Sequence, residues 1–185
     1  MERLFSIVND QGYEIDTAML ETESKDGMLQ VIPENYVPPN QKRLFRPKWN
    51  FDLEDWEEGE SEEVVLSQLR KSKFRELSAE CTKAILGKFT SEVDGKVYEF
   101  SFDTEAQANF DSALLILTQG MEQEAEWTAY TLNGEVARIK LDKAKLIAVA
   151  KDGYRHKDSK IKRLRNELEP MVMNATKEEL EHIQW

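Results

Sequence analysis

The stretch Tyr98–Gly120, YEFSFDTEAQANFDSALLILTQG, constrains the fold of this chain more than any other. Residues 98–102 alternate apolar and polar, the period of a half-buried strand. Asp103 or Thr104 then caps a helix, with Glu105 in its first turn, where a carboxylate suits the positive end of the helix dipole. Phe110, Ala113, Leu114 and Leu117 share its apolar face, and Gly120 ends it. A strand that runs directly into a capped amphipathic helix makes a unit onto which the neighbouring elements are expected to pack.

Those neighbours read as two hairpins and two long helices. LGKFTSEVDGKVYEFSFD turns at Asp94-Gly95, and EWTAYTLNGEVARIKL turns at Asn133-Gly134, a pair that favours a type I′ turn because both residues accept positive φ. The first long helix spans Glu62–Leu86, capped by Ser61 and stopped by Gly87, with a stripe through Leu66, Leu69, Phe74, Leu77, Cys81, Ala84 and Ile85. The second spans Asp142–Glu169 on a heptad-like stripe, Ile147, Ala150, Tyr154, Lys157, Ile161, Leu164, Leu168 and Met171. Gly153 lies inside it, and Pro170 is expected to kink or end it. Such stripes suit a coiled coil between chains or, more simply, helices lying on their own core, packed together and enclosing the hairpins. TKEELEHIQW adds a terminal helix, with Thr176 and Glu179 as a capping box. No internal repeat is visible in the sequence.

Residues 1–60 read differently. ERLFSIVND is a short strand, and Gln11-Gly12 a turn returning the chain through Tyr13-Glu14-Ile15. Four of the five prolines follow, Pro33, Pro38, Pro39 and Pro47. Proline fixes φ and removes a donor, so short extended pieces are expected rather than a long helix or a central strand. Lys42, Arg43, Arg46 and Lys48 form a basic knot ahead of the acidic run FDLEDWEEGESEE. Such a run is usually solvated surface or linker. Trp49, Phe51 and Trp56 are unusual in a linker, and aromatics anchor interfaces. The expected partner-facing residues are therefore Trp49, Phe51 and Trp56, with Lys42, Arg43 and Arg46 setting orientation. The fold class expected is α+β: an extended N-terminal arm with short strands over residues 1–60, then a helix-rich domain with two small hairpins over 61–185.

Charge and residue inventory narrow the chemistry. A formal net charge of −11 argues against nucleic-acid or anionic-membrane partners, which need clustered lysine and arginine. No apolar run approaches the ~18 residues needed to span a bilayer. The opening MERLFSIVND lacks the pattern of a signal peptide, and the single cysteine, Cys81, excludes an internal disulfide; synthesis in a cytoplasm is expected. His156 and His182 lie on separate elements outside any metal-binding pattern, and no GxSxG, P-loop or GxGxxG occurs. No metal, cofactor or catalytic residue is assigned, and the chain is not expected to be an enzyme. Gln107 and Asn109 suit either a polar ligand or, more simply, hydrogen bonds from the helix start to the adjacent hairpin.

The N-terminal half, with its opening strand, VIPENYVPPN and LFRPKWNFDLEDWEEGESEE, resembles the openings of phage tail and baseplate accessory proteins. From about Leu66 the chain resembles a small domain of unknown function common in phages and prophages of Gram-positive bacteria. Its landmarks here are ELSAECTKAILGKFTS, YEFSFDTEAQANF, EWTAYTLNGEVARIKLDKAK and HKDSKIKRLRNELEPMVMNATKEELEHIQW. In the tryptophan phrase an Asp-Gly turn usually follows the first Trp, and Phe51-Asp52-Leu53 stands here instead. The resemblance implies a virion tail protein made in the host cytoplasm, acting by contact with other tail or baseplate proteins, with homo-oligomers in the assembled particle. The alternative is a host-surface module binding carbohydrate or teichoic acid. The resemblance transfers no catalytic residue.

Overall fold

The computed structural model describes residues 2–22 and 31–185; residues 23–30, where the proline-containing stretch begins, lie outside the described residues. The chain divides into two units, Met1–Gln68 and Leu69–Trp185, and the division falls within helix α1 (Glu62–Ile85).

The first unit corrects the expectation of an extended arm. Strands β1 (Glu2–Val8) and β2 (Glu14–Glu21) form an antiparallel ribbon, and the short β3 (Tyr36–Val37) pairs with β1 on its other side. The Asn9 side chain organises the intervening turn by accepting from the backbone N–H groups of Gln11 and Tyr13. A second hairpin joins β4 (Pro47–Asn50) to β5 (Asp55–Glu58), with Trp49 opposite Trp56. Pro47 is tolerated because it is the first residue of its strand. The two sheets meet at Gly12, whose carbonyl accepts from the Trp49 N–H at 2.8 Å. Gly12 has φ +85°, and a β-carbon there would stand 2.1 Å from the Trp49 oxygen, so only glycine fits. Val8, Val37, Trp49 and Trp56 close a small core.

The second unit holds one four-stranded antiparallel sheet in the order β6-β7-β8-β9: Phe89–Val93, Lys96–Phe100, Glu124–Tyr130 and Val136–Asp142. This corrects the picture of a helix-rich domain carrying two separate hairpins, because the hairpins join edge to edge through the pair Glu99↔Tyr130. Helices α2 (Thr104–Thr118) and α3 (Lys143–Lys162) contribute Phe110, Leu117, Leu146 and Val149 to the same core as Phe89, Phe100, Ala129 and Leu141 of the strands. Phe100 is fully buried, and Phe110 stacks on Trp127 with ring centroids 4.3 Å apart.

The element order is hairpin–helix, twice over, and it corrects the reading that no repeat is present. Gly95 and Gly134, Asp103 and Asp142, Phe102 and Leu141, and Phe110 and Val149 occupy matching places at one constant separation in the chain. Each aspartate caps its helix, Asp103 accepting from the Ala106 N–H at 2.8 Å and Asp142 from the Lys145 N–H at 2.9 Å. The turns differ. Asp94 and Gly95 both have positive φ and span two residues. Asn133-Gly134 lies instead in the longer loop between the paired Tyr130 and Val136, and only Gly134 has positive φ, so the expected type I′ turn is not formed there.

The buried face of α3 is Leu146, Val149 and Gly153, one residue out of step with the expected stripe; Ile147 and Tyr154 are exposed. Gly153 is on the inside because a β-carbon there would meet the Phe102 ring at 2.8 Å. The helix does not end at Glu169. It widens into a π-helical turn, Arg163–Leu168, and continues as α4 (Glu169–Asn174). The Glu169 N–H bonds back to the Leu164 carbonyl, and Pro170 then occupies the first turn of the resumed α-helix, where its missing donor costs little. Helix α5 (Lys177–His182) starts from the Thr176–Glu179 capping box. Arg70 of α1 ties this end down by donating to the Ala175 carbonyl at 2.8 and 3.2 Å.

Candidate functional site

The residues singled out as partner-facing all belong to the β4–β5 hairpin and the chain leading into it, and they divide into a framework and an exposed tip. Trp49 and Trp56 are framework. They are 7% and 4% exposed and meet edge to face, centroids 5.7 Å apart. The Trp56 indole N–H donates to the Pro38 carbonyl at 2.7 Å, so the ring's polar edge is satisfied inside the unit. Both rings face inward, which corrects the expectation that they project toward a partner.

The basic residues separate in the same way. Lys42 reaches across the hairpin to Asp55 at 2.5 Å and to the Trp56 carbonyl at 2.7 Å. Together with the Trp56 N–H, it holds the Asp55 carboxyl below the usual carboxylate range. Arg46 lies over the Tyr13 ring, 4.3 Å from its centroid, and pairs with Glu60 at 3.2 Å. Arg43 is exposed and makes no ion pair among the described residues. Glu58 closes the base. Burial opposes its charge, but the N–H groups of Phe45 at 2.7 Å and Arg46 at 2.9 Å outweigh that cost, so its acidity is also raised.

The tip is where the apolar surface lies. Residues 51–54 make the turn, with the Asn50 side chain accepting from the N–H groups of Asp52 and Leu53 and with Glu54 at φ +50°. An Asn50-centred turn with a left-handed residue thus does the work of the missing Asp-Gly pair. It leaves Phe51 46% and Leu53 71% exposed, held out by a hairpin that the tryptophan pair and the Lys42 and Glu58 contacts hold in place. Sequence reasoning found Phe51 and missed Leu53, because a leucine inside an acidic run carries no signal without the turn geometry. Phe45, 44% exposed on the lead-in, was missed for the same reason.

Among the described residues, the groups with reactive chemistry are engaged in structural contacts. Ser91, Asp152 and His156 come near one another, but the Ser91 hydroxyl donates to Asp152 at 2.8 Å. His156 Nε2 faces the Ala84 and Ile85 carbonyls at 3.0 and 3.2 Å, at the end of α1, so it is not set to take the serine proton. Among the described residues no group of three or more His, Cys, Asp and Glu is placed to hold a metal ion. Cys81 is buried, and burial pushes its thiol up, away from the reactive thiolate. Gln107 donates to the Phe102 carbonyl at 2.8 Å and so ties the α2 start to the connection from β7, while Asn109 is exposed beside β8.

Compared with known proteins, residues 68–183 match a family model described as a domain of unknown function, DUF4376. No curated protein and no solved structure matches the chain. The family match covers the second unit almost from end to end and leaves the hairpin-tip unit outside it. By that match, which extends over more than half of its length, the chain belongs to the DUF4376 family.

Proposed function

We propose that this chain is a structural or assembly component of a bacteriophage tail tip or baseplate, working by protein–protein contact. The observation that carries the contact role is the β4–β5 tip, where Phe51 and Leu53 stand exposed on a hairpin braced from below. Apolar side chains fixed in solvent lose little further entropy when a partner covers them, which favours recognition. The exposed Arg43 precedes the hairpin and the acidic run follows Phe51 in the chain, and charge near an apolar contact steers approach. The tail setting rests on the resemblance of the proline and tryptophan phrases. Its partners are other tail or baseplate proteins, and its place is the virion tail.

A host-surface carbohydrate module would call on tryptophan faces open to solvent, and Trp49 and Trp56 are instead in the core. The test is co-purification of the chain with the products of its neighbouring genes, using Phe51→Ser with Leu53→Ser. This pair leaves the tryptophan core in place, whereas replacing Trp49 or Trp56 would unfold the surface it was meant to probe. The expected result is loss of a stable complex with an unchanged melting profile, and little self-association of the isolated chain by light scattering. Retention of the complex by the double variant would overturn the tip as the contact.

A further inference from the structure

In the four-stranded sheet of the second unit the ladder between β7 and β8 fails to run on. Strands β8 and β9 pair without interruption from Glu124↔Asp142 to Tyr130↔Val136. Strands β7 and β8 share only Glu99↔Tyr130. The cause is local: β7 ends at Phe100, and the chain lifts away into α2 behind the Asp103 cap. One edge of β8 is therefore satisfied along its length, and the other, from Glu124 to Ala129, has no paired strand among the described residues. Backbone donors and acceptors of an extended chain alternate between its two edges, so every second residue of this run directs an N–H and a C=O into the gap.

The gap is a cleft of about 360 Å³ bounded by Ser101, Asp103, Glu105 and Asn109 on one side and Glu126 and Thr128 on the other. Its walls are fixed: the Trp127 ring is stacked on Phe110, and Gln107 holds the start of α2 to the Phe102 carbonyl in the connection that follows β7. The charged residues that line it are all acidic. Asp103, Glu105 and Glu126 line it and make no ion pair among the described residues; the cations beside it are engaged, Arg138 with the Thr128 hydroxyl, Lys140 (across the strand from Glu126) with Glu124, and Lys88 with Glu99 and the Tyr130 ring. A slot between a strand edge and the start of a helix suits an extended backbone, which needs about 4.8 Å beside the strand it joins, and not a helix of about 10 Å diameter.

We propose that this seam is a docking slot for an extended, lysine- or arginine-bearing segment of a partner protein, which adds to the open edge of β8 and sets its cations against Glu126 and Glu105. Main-chain hydrogen bonds supply the attachment, and alternate side chains supply the selection. This slot lies in the family domain, and it stands or falls independently of the hairpin-tip reading.

The test uses the full chain against an array of ten-residue synthetic peptides bearing lysine or arginine at alternate positions, with uncharged residues between. Array hits are then titrated in solution by amide NMR. The expected result is saturable binding with shifts centred on Glu126–Thr128 and Ser101. Methylating alternate backbone nitrogens of the peptide should abolish it, since that removes donors and leaves charge intact. Glu105→Lys with Glu126→Lys should weaken it by about tenfold or more, equivalent to about 1.4 kcal/mol, while Glu181→Lys on α5 leaves it unchanged. Three results would each overturn the proposal: no peptide binding, equal binding of the methylated peptide, which marks a plain acidic surface, or self-association abolished by Glu126→Lys, which marks a second copy as the occupant.

Discussion

The two units reach a closed core by opposite routes. The second layers a sheet under two helices, and its buried side chains come from every strand and from both helices, with four phenylalanines among them. The first has, among the described residues, two small sheets without a helix layered on them, and a core of Val8, Val37, Trp49 and Trp56, partly covered by Leu44. Large aromatic rings compensate for the small number of buried residues there, and charged contacts such as Lys42–Asp55 brace what apolar burial does not. A unit of this kind keeps its shape through a few residues each, whereas the family domain distributes the burden. The difference should appear in how each fails.

The largest effect is expected at Phe100, the fully buried ring beneath α2. Phe100→Ala should cost about 3–5 kcal/mol in the melting of the second unit, with little change in the tryptophan pair of the first. If both units lose stability together in differential scanning calorimetry, they unfold as one body and the comparison breaks. A smaller, opposite test is Trp56→Phe, which removes the N–H bonded to Pro38 and part of the ring contact with Trp49. It should cost about 1–2 kcal/mol in the first unit alone, read by near-ultraviolet circular dichroism. An unchanged midpoint would show that the tryptophan pair does not hold that unit together.

The smallest effect concerns pH, and its sign differs between the units. In the first, Asp55 and Glu58 have lowered folded pKa values, so their stabilisation is present above the unfolded carboxylate range of about 4 and is lost as pH falls through the folded values. In the second, Lys140, Lys145 and Lys162 have raised values, caused first by hydrogen bonds to Glu124, Asp94 and Asp158. Their contribution is present below the unfolded lysine value of about 10.4 and is lost as pH rises through the folded values. Acid titration should therefore loosen the first unit before the second, and alkali the reverse. A single coincident transition at both extremes would contradict this division.

What could be read from the sequence was chiefly punctuation. Asp103, Asp142 and the Thr176–Glu179 box announce helix starts because capping is a contact within four residues, and Asp94-Gly95 fixes its turn by the φ angles those residues accept. The tryptophan core was illegible because its members come from four separate segments, so no window of sequence carries its period. Burial on α3 was illegible for another reason. Its inner face runs through Gly153 and the half-buried His156, one small enough to admit Phe102 and Phe89, the other hydrogen-bonded to helix-end carbonyls. The apolar stripe drawn one residue aside leaves Ile147 and Tyr154 exposed and returns to the interior only at Leu168. The duplicated hairpin–helix escaped notice because its halves share cap and turn glycine while their core residues differ, Phe102 against Leu141 and Phe110 against Val149. The candidate tip was half legible: Phe51 stood out as an aromatic, and Leu53 did not.

The π turn at Arg163–Leu168 has a consequence for how this chain tolerates changes of length. Each residue added to or removed from a helix rotates everything beyond it by about 100°. The wide turn accommodates one residue more than an α-helix would, and so sets Leu168 and Val172 inward and Met171 outward. Deleting one residue there would restore regular winding and swing Val172 and Ala175 out of the interior, together with the carbonyl that Arg70 holds. The solvent-facing loop at Asn133-Gly134 sits under no such constraint. Insertions and deletions among related chains should accordingly accumulate in that loop and be purged from the π turn.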